Sequence, residues 1–115
     1  MTSPNAKARV QRKYEPQYPD PIEVKTGESV EVGRADNDDP GWLWCRARDG
    51  REGWVPVELL SEQGARAVIL EDYSAKELAV FPGDEVEVEK ARHGWLLVRN
   101  VQGERGWIPH SRIQM

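Results

Sequence analysis

The sequence predicts an all-β chain folded as two small, strongly bent five-stranded barrels in tandem. Three observations predict it. Glycine and proline are frequent, at 10 and 8 of 115 residues. No long stretch carries apolar residues at helical spacing, while short alternating runs recur between turn residues. One seven-residue pattern occurs twice, as GREGWVP from Gly50 and as GERGWIP from Gly103.

The repeat extends well beyond that pattern. PIEVKTGESVEV from Pro21 matches ELAVFPGDEVEV from Glu77, and GWLWCRARDGREGWVPVELL from Gly41 matches GWLLVRNVQGERGWIPHSRI from Gly94. Trp42 and Trp95, Gly53 and Gly106, and Pro56 and Pro109 are each 53 residues apart. The wider spacing of Tyr14 and Tyr73 follows from two short insertions in the first copy. Three anchors kept in register are the mark of a true internal repeat. The implied organisation is a tail over 1–7, a first domain over 8–61, a short linker and a second domain over 67–115.

Each copy reads as strands between tight turns. KTGE and FPGD launch Val30-Glu31-Val32 and Val86-Glu87-Val88, where the valines share one face and the glutamate takes the other. Asp49-Gly50 is a hairpin pair, because glycine accepts the positive φ such a turn requires. Gly53 and Gly106 precede a tryptophan at points where a side chain would obstruct a close backbone approach. Pro56 and Pro109 end their strands, having no N–H for the ladder. On the strand that follows Gly41, Trp42 and Trp44 are expected to face outward, with Leu43 and Cys45 inward. In the second copy Trp95 and Leu97 face outward, with Leu96 and Val98 inward.

Composition narrows the function classes. Apolar residues make up 38% and charged residues 31%, with a net charge of −4. A mildly acidic chain lacks the excess of Lys and Arg that phosphate binding needs, so no nucleic acid partner is expected. Cys45, the sole cysteine, cannot form an internal disulfide and reads as a small core residue. The opening MTSPNAKARVQ lacks the apolar core of a signal peptide, and no stretch of about 18 apolar residues could span a bilayer, so cytoplasmic residence without membrane contact is expected.

The order of tyrosine, variable loop, GE or GD turn, VEV, GW, distal turn and GW(V/I)P, followed by a short helical turn, resembles an SH3 domain. ILEDYSA…ELAVFPGDEVEV looks like that family's usual opening, and VQRKYEPQYPDPIEVKTGESVEV is a more divergent version. The pair covers Ala8 to Ile113 and resembles the bacterial variant-SH3 proteins. This resemblance implies an aromatic groove for an extended polyproline II peptide. In the first copy its positions fall on Arg12, Tyr14, Pro21, Trp42, Trp54, Pro56 and Leu59. In the second they fall on Glu71, Tyr73, Glu77, Trp95, Trp107, Pro109 and Arg112. Neither set is complete, since Arg12, Leu59, Glu71 and Arg112 stand where tyrosines would form the proline pockets and Pro21 replaces the acid. Tyr14, Trp42, Trp54 and Pro56 are the expected ligand-binding residues of one site, and Tyr73, Glu77, Trp95, Trp107 and Pro109 those of the other.

No catalytic set, cofactor motif or metal-ligand spacing accompanies them. His93 and His110 read as surface or loop residues. The acidic DNDDP run from Asp36 reads as a solvated turn, or as a steering charge beside Trp42. Three readings stay open: a non-enzymatic module binding a peptide or protein surface, a peptidoglycan-binding module, and a structural module whose tryptophans pack between barrels or chains. The linker Ser61–Arg66 is too short to let the domains tumble apart, so a monomer with packed tandem domains is expected.

Overall fold

The computed structural model describes residues 6–61 and 64–114. The first five residues of the expected tail, positions 62–63 of the linker, and Met115 lie outside the described residues. The strands run β1 (Ala6–Val10), β2 (Glu23–Val24), β3 (Ser29–Ala35), β4 (Trp42–Arg46), β5 (Glu52–Pro56), β6 (Arg66–Val68), β7 (Tyr73–Ser74), β8 (Glu85–Arg92), β9 (Trp95–Asn100), β10 (Arg105–Pro109) and β11 (Ile113–Gln114). Single 3-10 turns at Val57–Leu59 and His110–Arg112 are the only helical elements among the described residues. No helix there is long and apolar enough to cross a membrane. The expected tail is shorter than 1–7, because Ala6 and Lys7 already belong to β1.

The chain divides into a continuous unit, Tyr18–Lys76, and a split unit formed by Met1–Gln17 with Glu77–Met115. The continuous unit holds a four-stranded sheet in the order β5-β4-β3-β6 and the pair β2-β7. The split unit holds a five-stranded sheet in the order β10-β9-β8-β1-β11.

These units do not follow the expected boundaries at 8–61 and 67–115. The repeats have exchanged their opening strands. β1 opens the first repeat, yet it pairs with β8 (Ala8↔Val86) and β11 (Val10↔Ile113) of the second. β6 opens the second repeat, yet it pairs with β3 of the first (Val30↔Ala67). The connection between the repeats supplies the physical reason. Leu60 bridges Ile69, the Ser61 N–H donates to Val68 O at 3.0 Å, and Ser61 Oγ accepts the Val68 N–H at 2.8 Å. The end of the first repeat therefore turns straight back into the opening strand of the second. So short a loop closes at small entropic cost. With the edge of β3 occupied by β6, β1 completes the split unit.

Neither sheet closes into the expected five-stranded barrel. β10 and β11 remain edges of one sheet, and β5 and β6 edges of the other. Pro56 (φ −61) and Pro109 (φ −62) turn the chain out of the ladder into the 3-10 turns, so the ladder stops before it can join its far edge.

The glycines act as the sequence suggests. A Cβ at Gly53 would lie 2.8 Å from Ile22 Cγ2, and one at Gly106 would lie 2.7 Å from the Leu78 backbone nitrogen. At the distal turn, Gly50 has φ 93 and donates its N–H to Ala47 O.

Cys45 is fully buried in the continuous unit, and that burial pushes its thiol up to about 11. A raised folded-state pKa stabilises the fold while the thiol is protonated in both states. From the ordinary value of 9.0 up to about 11, the unfolded chain ionises and the native chain does not, so stability falls as pH rises. The slope approaches about 1.4 kcal/mol per pH unit at most. Denaturant titrations of the wild type and Cys45→Ala across this window are expected to show that extra slope in the wild type alone.

Candidate functional site: two aromatic clusters

In the split unit, Tyr14 is the pivot. It pairs with Val80 through reciprocal backbone hydrogen bonds of 3.0 Å. Its hydroxyl donates to Glu77 Oε1 at 2.7 Å, and the Gln17 N–H donates to the same oxygen at 2.9 Å. The indole of Trp95 meets the Tyr14 ring edge-on, with centroids 5.8 Å apart. The Arg112 guanidinium stands 5.5 Å from that ring, and its Nε donates to Lys13 O. Trp95 pairs with Pro109 across β9 and β10. Trp95, Pro109 and Glu77 are half-buried, whereas Tyr14 and Trp107 are buried. Trp107 is overlaid by the segment that bridges it at Glu77 and donates the Leu78 N–H to its carbonyl.

In the continuous unit, Trp42 pairs with Pro56 across β4 and β5, and Tyr73 Oη donates to Trp54 O at 2.9 Å. Trp42, Pro56 and Tyr73 are all buried. Strand alternation places Trp42 and Trp44 on one face as expected, but the outward face does not leave Trp42 exposed. Leu43, expected inward, is half-buried. Beside Tyr73, Asp72 accepts hydrogen bonds from the Thr26 N–H and hydroxyl at 2.8 and 2.9 Å. These donors, the backbone one foremost, hold its carboxyl below the usual range.

The exchange of strands therefore redistributes the expected site residues. Tyr14 leaves Trp42, Trp54 and Pro56 and joins Glu77, Trp95 and Pro109. Tyr73 leaves Glu77 and Trp95 and meets Trp54.

A family model described as a variant SH3 domain matches residues 7–63. A second, described as a bacterial SH3 domain, matches residues 70–114. This is a tandem SH3 protein. No curated protein and no solved structure matches the chain. Along the sequence, the SH3 repeats run one after the other. In space, the aromatic positions of each repeat divide between units that both repeats build.

A second aromatic cluster was only partly visible in the SH3 pattern. Trp44 stacks edge-on against Trp54 at 5.1 Å and tilts against Tyr18 at 5.6 Å. The Arg34 guanidinium stands 5.1 Å from the Trp44 ring and 5.3 Å from the Trp54 ring. Trp44 Nε1 donates to Glu52 Oε1 at 3.0 Å. The parity of Trp44 with Trp42 signalled its face. Tyr18 carried no signal, because it lies in the stretch between Tyr14 and Gly27 where the first repeat is longer than the second.

Proposed function

We propose that this tandem SH3 protein is a non-enzymatic binding module, and that its split unit carries the reading surface for an extended peptide or protein segment. The observation that supports this reading is the Tyr14–Glu77 hydrogen bond with Trp95 set edge-on to the same ring. It fixes the tyrosine, the acid and the tryptophan before any ligand arrives. Rigid aromatic surface of this kind costs little conformational entropy on binding. Trp95 and Pro109 form a half-exposed apolar ridge suited to an extended segment, which arrives already ordered when it is polyproline II. Both hydrogen bonds to Glu77 go to Oε1, leaving Oε2 for a cationic group on the ligand. Arg112 replaces the ring that would build the outer proline pocket, so the ligand meets a guanidinium at that end. The buried Trp42, Pro56 and Tyr73 make the continuous unit the weaker candidate for this role.

The test is a titration of the labelled protein with a pool of proline-rich peptides, followed through the indole N–H signals. The Trp95 signal is expected to shift. Trp95→Ala is expected to weaken binding by about 2 kcal/mol, roughly thirtyfold, with the fold kept. Wild-type affinity in Trp95→Ala would remove this surface from the account.

A further inference from the structure

The split unit carries another exposed feature at the far end of its sheet. Ala79, Phe81 and Val101 line an open cleft of about 400 Å³, with Asp84, Glu85 and Glu104 around them. β9 runs from Trp95, beside Pro109, to Asn100 at this cleft, so about 16 Å of extended chain separates it from the reading surface. Both large apolar side chains stand on braced turns. The Phe81 N–H donates to Asp84 Oδ2 at 2.9 Å, and the Asp84 N–H donates back to Phe81 O at 3.0 Å. Val101 lies in the turn closed by the Gly103 N–H to Asn100 O, where Asn100 Oδ1 also accepts the Gln102 and Glu104 N–H groups. Phe81 is nonetheless 49% exposed and Val101 78% exposed.

We infer that this cleft docks a partner protein through an apolar side chain flanked by lysine or arginine. Two observations lead there. The first is that the other repeat builds the same corner without apolar side chains. Lys25 and Arg48 take the places of Phe81 and Val101 in the first repeat, and both are exposed. The corner therefore folds without Phe81 or Val101. Exposed apolar groups that share one cleft mark an interaction surface, unlike those scattered singly. The second observation is charge. In the first repeat, Lys25, Arg48 and Arg51 balance Glu23, Glu28 and Asp49 at the matching positions. In the second, the described residues lining the cleft include Asp84, Glu85 and Glu104 and no Lys or Arg. Lys13 and Arg9 offset little of that charge. Lys13 Nζ stands 5.9 Å from the centre of the Phe81 ring but pairs with Glu15 at 3.1 Å. Arg9 reaches Glu85 at 3.6 Å with both side chains largely in water, where such a pair is weak. A surface apolar at its centre and anionic at its rim selects an apolar anchor with cationic neighbours.

The test uses the full labelled chain at low salt and the peptide acetyl-Gly-Lys-Leu-Lys-Gly-amide. The backbone amide signals of Phe81, Val101 and Gln102 are expected to shift at millimolar peptide. The Trp95 indole signal is expected to stay still, which separates this site from the proposed reading surface. Serine in place of the peptide's leucine is expected to weaken the response at least about fivefold. Glutamate in place of both lysines is expected to weaken it at least about fivefold as well. Val101→Arg and, separately, Phe81→Lys bring the first repeat's side chains to this corner, and each is expected to weaken binding at least about fivefold. Dispersed Trp95 and Trp107 indole signals report that the fold is kept, and Val101→Arg decides the matter if Phe81→Lys unfolds. A serine or glutamate peptide that acts like the parent, wild-type binding by Val101→Arg, or amides that do not move at millimolar peptide overturns the inference. Shifts of the same amides on concentrating the protein alone would assign the cleft to a second copy and overturn it too.

Discussion

A chain that begins at Tyr18 is expected to keep the continuous unit folded and to lose the split unit. The deletion removes β1 and Tyr14, and with them the buried side chains of Ala8, Val10 and Tyr14. It also opens the ladder between β8 and β11. Burial of those three side chains contributes about 5 kcal/mol. A unit of this size has only about 3–8 kcal/mol in total. Every strand of the continuous unit lies within Tyr18–Lys76, so its indole signals from Trp42, Trp44 and Trp54 should remain dispersed while those of Trp95 and Trp107 collapse. Two barrels cut along the repeat would give the opposite pattern, with the first lost and the second intact. Adding a peptide of residues 6–17 should restore the split unit.

Gly106→Ala is expected to cost the split unit about 3 kcal/mol or more, at the upper end of overpacking penalties. The new Cβ would stand 2.7 Å from both the Leu78 backbone nitrogen and its Cβ, and 2.8 Å from the Glu77 carbonyl carbon. Backbone on both sides cannot rotate away. The segment carrying Glu77 would have to lift, breaking the Leu78 N–H to Trp107 O hydrogen bond. The acid that anchors Tyr14 would move with it. Gly53→Ala should cost less, because its closest neighbour at 2.8 Å is the Cγ2 of Ile22, a side-chain atom. Gly103→Ala meets nothing within 4 Å, and its cost is the left-handed φ of 88, about 1–2 kcal/mol. Denaturant titrations of the three variants, read through unit-specific indole signals, check this ranking.

Much of the local structure was legible from residue types. Gly53 and Gly106 announced close approaches, and Ile22 and Leu78 are what approaches. Asp49-Gly50 announced the distal turn, and the proline after each GW(V/I) announced a strand end. The exchange of opening strands was not legible in the same way. Ala8 and Ala67 occupy equivalent places in equivalent patterns, so each strand suits the edge beside Val30 as well as the one beside Val86. Loop length selects between them, through the hairpin that joins Leu60 to Ile69. Because the exchange moves Tyr14 and Tyr73, the composition of the candidate site was hidden along with it. The tryptophans show a related limit. Alternation gives the face on which Trp42 lies, but not what covers that face, and Trp107 is overlaid by the segment at Glu77 and Leu78. Tyr18 sits where the repeats differ in length, so no internal comparison could point to it.

Tyr14 reaches Glu77 and Trp95 only when β1 lies beside β8. Cross-strand nuclear Overhauser contacts in the monomeric protein test this most directly. The exchanged arrangement predicts contacts of Ala8 with Val86 and of Ala67 with Val30. Contacts of Ala8 with Val30 and of Ala67 with Val86 would contradict it, returning Tyr14 to the neighbourhood of Trp42.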